Sequence, residues 1–73
     1  MKEQELDKYV GKFVKITDFE NEPFFGTLYK IKYGVVERNG QKEFHAINNG
    51  YFLEGWKNGY DFRKSHIKKI EIV

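Results

Sequence analysis

A single glycine interrupts the longest strand-like run in the chain, "PFFGTLYKI" (residues 23–31), and the apolar residues around it change parity. Strict alternation puts Phe24, Gly26 and Leu28 on one face, while Ile31 falls on the other. One core can take both Leu28 and Ile31 only if the strand bends or bulges between them. Gly26 is expected to be the corner of that strand, since glycine weakens a flat strand but lets a sheet curl. The plainer alternative is a glycine merely tolerated at a sheet edge.

The rest of the chain supplies short strands for such a sheet. "KFVKITD" alternates, with Val14 and Ile16 on one side, and "NEP" (21–23) turns the chain into the next strand. Asn39-Gly40 stands between "GVVER" and "QKEFHAI", a strong two-residue hairpin signal. "NNG" (48–50) and "KNG" (57–59) set off "YFLEGW" and "YDFRK". In the closing "IKKIEIV", Ile70 and Ile72 alternate and Ile67 is out of phase, which a turn at "KSH" would explain. Only residues 3–10 read as helix: Leu6, Tyr9 and Val10 share a face, acids lead, and Gly11 stops it. The expected fold is mainly β: a single domain over 1–73, a strongly bent antiparallel barrel of five or six strands with a short N-terminal helix.

With 73 residues and no cysteine, stability must come from apolar packing, which seven Phe, five Tyr and one Trp can supply. No apolar stretch reaches membrane-spanning length and no signal peptide is visible, so a cytoplasmic location is expected. Charge is unevenly placed: residues 1–22 sum to −2 and residues 23–73 to +4. "FRKSHIKK" (62–69) holds four cations, a histidine and no acid. It reads either as an anion-binding patch or as a lysine-guarded strand edge.

The stretches "LDKYVGKFVKITDFENEPFFGTL" and "YDFRKSHIKKIEIV" resemble the Sm-like family, nearest to short Sm-like proteins of bacteria and their mobile elements. About half the chain, at its two ends, carries the resemblance; residues 34–50 have no counterpart. Gly26, Leu28 and Ile31 match structural positions of the first family motif, and Phe62-Arg63 match the second. The base-reading positions depart: Lys32 stands where the uridine-binding aspartate is expected, Val36 near the asparagine, and Lys64 in place of a glycine. Lys64 and His66 are similar to a Lys-His pair of the family's RNA-chaperone branch, at a different spacing. The resemblance implies a small barrel whose edges pair into rings.

Two functions of different class follow. A protein contact surface, for a second copy or a host protein, would use Phe19, Phe25, Tyr29, Phe52 and Trp56, because these and Phe24 exceed what one small core buries. An RNA or DNA surface would use Arg63, Lys64, Lys68 and Lys69 on phosphates, with Lys32 and His66 added by the resemblance, and Tyr29, Tyr33 or Tyr51 stacking on bases. Such binding would be only weakly sequence-selective. His45 and His66 have no cysteine, serine–acid pair or adjacent histidine to form a triad or metal set. No catalysis, cofactor, metal or small-molecule substrate is therefore expected.

Overall fold

The computed structural model describes residues 1–73. The N-terminal segment is one α-helical turn, α1 (Glu3–Leu6), continued by a 3₁₀ turn over Asp7–Tyr9 and ended at Gly11, whose φ is +87°. Isolated, so short a helix would not hold. Leu6 fixes it by burying completely in the core, and the Met1 ammonium donates to the carbonyls of Lys64 and Ile67 at 3.0 and 3.2 Å.

Seven strands follow: β1 (Phe13–Asp18), β2 (Pro23–Ile31), β3 (Val35–Arg38), β4 (Gln41–Phe44), β5 (Gly50–Glu54), β6 (Gly59–Phe62) and β7 (Ile67–Ile72). Five of them make one antiparallel sheet in the order β6-β5-β2-β1-β7, and β3 with β4 form a separate hairpin. β6 and β7 are the two edges of the larger sheet and are not paired with each other. The expected strongly bent barrel of five or six strands is thus corrected to a five-stranded sheet that does not close, with a separate two-stranded hairpin. The extra strands come from residues 34–50, the segment without a family counterpart.

β2 is the centre of the sheet. Its first half, Pro23 to Thr27, pairs with β1, and its second half, Thr27 to Ile31, pairs with β5. Gly26, paired with Val14, lies one residue before the changeover at Thr27. A β-carbon there would sit 2.6 Å from the Glu54 carbonyl carbon and 2.9 Å from the Gly55 nitrogen. The glycine is therefore required by close approach of the β5 backbone, one of the known uses of glycine in strands.

The parity switch has a different resolution from the expected bend. The β2–β5 register runs from Thr27 to Ile31 without a shift, so no bulge separates Leu28 from Ile31. The main core gathers Leu6, Val14, Ile16, Leu28, Tyr51, Leu53, Phe62, Ile67 and Ile70. Ile31 and Val36 are just as buried but lie outside this cluster. Ile31 belongs to the opposite, outer face of the sheet, which the β3–β4 hairpin covers. The Ile67 offset is also absorbed differently. Thr17 pairs with Lys69 and Asp18 with Ile67, so a bulge at Lys68 returns both Ile67 and Ile70 to the core. Ile72, expected to alternate inward with Ile70, is 58% exposed at the chain end.

Candidate functional site

Three groups of polar side chains define what each face of the sheet offers. On the inner side, Tyr51 donates its hydroxyl to Asp7 Oδ1 at 2.5 Å, and Lys30 bridges Glu3 and Asp7 at 2.7 and 2.9 Å. The Tyr51 hydrogen bond, helped by Lys30, lowers the Asp7 pKa; burial, followed by the hydrogen bond to Asp7, raises that of Tyr51. This set fastens α1 and its 3₁₀ turn to β2 and β5. It also removes Tyr51 from the candidate base-stacking residues, because its ring is wholly buried.

On the outer side, the hairpin is tied down by Arg38 and His45. The Arg38 guanidinium donates to Glu43 at 2.6 Å and to Glu54 of β5, and lies 5.2 and 5.5 Å from the ring centroids of Tyr29 and Phe52. Its two carboxylate partners raise its pKa, and it in turn lowers that of Glu43. His45 Nδ1 stands 2.9 and 3.1 Å from the two Asp61 carboxylate oxygens on β6, and its ring packs 4.7 Å from Phe52. His45 Nε2 is buried without a hydrogen-bond partner, with Glu43 Oε1 at 3.8 Å. Tyr29 and Phe52 stack at 6.4 Å under this cover and are only half-exposed. Both were expected on an open contact surface, and the chain's own hairpin occupies that part of it.

The six expected phosphate contacts do not form one patch. Arg63 and Lys64 share a cavity of about 230 Å³ with Glu3, Asn49, Gly50, Tyr51 and Ser65. His66 opens into a different cleft beside Asp18, Glu20 and Asp61, where carboxylates would repel a phosphate. On the β7 edge, Lys68 donates to Asn21 Oδ1 at 2.7 Å and Lys69 lies 3.6 Å from Glu71. Lys32 is elsewhere again, in a cleft with Lys30, Lys42, Tyr29 and Tyr33. A 3₁₀ turn over Lys64–His66 and the bulge at Lys68 separate side chains that are neighbours in sequence.

The expected aromatic contacts divide in two. Phe24 packs edge-on against Tyr60 and Phe62, at 4.9 and 5.3 Å, and belongs to the core margin. Phe25 and Trp56 line one groove with Pro23, Gly55 and Lys57, yet remain 48% and 90% exposed. Phe13, absent from the expected set, is 52% exposed and extends this surface. The register pairs Phe13 with Thr27 and Lys15 with Phe25, so the two phenylalanines are diagonal neighbours on one face. Alternation with buried Val14 was the signal that places Phe13 outward. Phe19 is 64% exposed but lies in the His66 cleft, away from this group.

Comparison with known protein families, with curated proteins and with solved structures finds no match. No helix is long and apolar enough to cross a membrane.

Proposed function

We propose that this chain is a non-enzymatic small β module of the Sm-like type that binds protein through the Phe13–Phe25–Trp56 part of its outer face. One observation carries the reading. The hairpin covers Tyr29 and Phe52 on the same face, whereas Phe25 and Trp56 line a common groove and stay exposed. A contiguous apolar surface left open beside a covered one is the usual mark of a contact site. Tryptophan and phenylalanine are also the residues enriched at the centres of such sites. The family assignment is supported by an N-terminal helix followed by a sheet in which the last strand returns beside the first. The unpaired edges β6 and β7 suit the edge-to-edge assembly which that resemblance implies.

Analytical ultracentrifugation of the wild type and of a Phe25→Ser/Trp56→Ser double variant tests the self-association form. Concentration-dependent association lost in the variant supports it. Association that persists unchanged in the variant places the contact elsewhere. Monomers throughout restrict the proposal to a foreign protein, which cross-linking from position 56 then decides.

A further inference from the structure

The β3–β4 hairpin is fixed to the rest of the molecule at few points. It shares no ladder with the larger sheet, and Val36 is the one wholly buried side chain of its two strands. β2 passes into it through Tyr33-Gly34, with Lys32 and Val35 bridged by reciprocal backbone hydrogen bonds of 3.0 and 2.9 Å. Both turn residues have positive φ, +51° and +74°, a geometry that favours Asn-Gly. A tyrosine there is a backbone outlier, of the kind that concentrates at switch regions. No packing accounts for it, because Tyr33 is 83% exposed. The strain sits at the hinge on which the hairpin would swing.

A row of alternating charge holds the hairpin down. Arg38 of β3 donates to Glu54 of β5 and to Glu43 of β4. Glu43 Oε1 lies 3.8 Å from His45 Nε2, and His45 Nδ1 meets Asp61 of β6 at 2.9 Å. The alternation is complete only with a charged His45. A neutral imidazole has one N–H and one lone pair. With a carboxylate beside each nitrogen, either tautomer turns its lone pair toward an acceptor, and the one that serves Asp61 leaves Nε2 buried and unbonded. The imidazolium carries a proton on both sides and suits both carboxylates. The other charged groups around it are Arg38, bound to the second Glu43 oxygen, and Asp18, Glu20 and His66, which share the Asp61 cleft; β5 brings the Phe52 ring to 4.7 Å. We propose that the hairpin is a hinged cover over Tyr29 and Phe52, latched by the imidazolium form of His45 and released as pH rises through the range in which histidine discharges. The latch contributes fully where the ring is charged and fades above that range. Release bares Tyr29, which alternates with Phe25 on the same face, and so enlarges the open aromatic surface, a consequence that rests on the contact reading above.

Amide exchange of the free protein at about pH 5 and about pH 8, either side of the histidine range, tests this when expressed as protection relative to an unfolded chain. Protection in β3 and β4 should fall roughly tenfold or more at the higher pH, the equivalent of one charge-assisted hydrogen bond, while β1 and β7 keep theirs. His45→Gln should remove this dependence, because no ring is left to titrate, and Asp61→Asn should reduce it. His66→Gln, which alters the other of the two histidines, should preserve it. The proposal is overturned if hairpin protection is equal at the two pH values, or if His45→Gln or Asp61→Asn keeps the wild-type dependence. It is equally overturned if His66→Gln removes the dependence, or if β1 and β7 lose protection in step, as in global unfolding. Exchange needs no partner, so a flat profile ends the latch and leaves the contact surface standing, whereas failed cross-linking from position 56 ends the contact reading and leaves the latch.

Discussion

Replacing Gly26 with alanine separates two opposed expectations about this fold. Strand propensity alone favours the change, since glycine in a strand interior is worse than alanine by roughly 0.5–1 kcal/mol. The tertiary structure forbids it. The added carbon would lie 2.6 Å from the Glu54 carbonyl carbon and 2.9 Å from the Gly55 nitrogen. Both are backbone atoms, one in the last residue of β5 and one just beyond it, so no side chain can swing aside. Overpacking against a rigid neighbour destabilises by about 1–3 kcal/mol, and a backbone clash belongs at the upper end. A chain of 73 residues has roughly 4–11 kcal/mol of total stability. A loss of about 3 kcal/mol lowers Tm by roughly 12–24 °C. Thermal unfolding followed by circular dichroism reads this, with Gly40→Ala as the control. Gly40 has φ +74° but open space around it, so its alanine variant bears only the left-handed backbone term of about 1–2 kcal/mol. A Gly26→Ala protein with Tm equal to or above wild type would refute the close-approach argument.

Two further perturbations probe the polar joints. Arg38→Ala removes the donor shared by Glu43 and Glu54; amide exchange within β3 and β4 should accelerate roughly tenfold or more, the equivalent of losing one charge-assisted hydrogen bond, while β1 and β7 stay protected. Tyr51→Phe deletes the 2.5 Å hydrogen bond to Asp7 and should lower stability by about 1 kcal/mol near neutral pH. Because Asp7 has a folded pKa below its ordinary 3.8, its contribution is present above that value and is lost as pH falls through the folded pKa. The difference between Tyr51→Phe and wild type in urea unfolding should therefore narrow below pH 3.8, and a difference independent of pH would contradict the assigned network.

The sequence was most informative where local chemistry decides structure. Asn39-Gly40 sits in the expected hairpin turn, Val14 and Ile16 point into the core, and residues 3–9 form the expected N-terminal helical segment. It was least informative about what covers a face. Alternation shows that Leu28 and Ile31 point oppositely, but only the position of the hairpin that follows β2 reveals that both sides are buried there. The same hairpin hides Tyr29 and Phe52, which composition counts as surplus aromatics. The basic run 62–69 misled for a related reason: a 3₁₀ turn and a bulge inside it send adjacent cations to different clefts. Phe13 and Tyr33 were readable in principle, one from alternation with Val14 and the other from a Tyr-Gly turn where Asn-Gly is favoured.

Photo-cross-linking from the open aromatic surface tests the central proposal most directly. A photoreactive residue is placed at position 25 or 56, or at exposed position 5 on the helix as control, in cells that naturally make the protein. The account predicts a discrete protein adduct of fixed mass from positions 25 and 56, and none from position 5. Excess wild-type protein should compete the adduct away, and the Phe25→Ser/Trp56→Ser variant should not. Adducts from position 5 alone, or no protein adduct at 25 or 56, would contradict a contact surface at the Phe25–Trp56 groove.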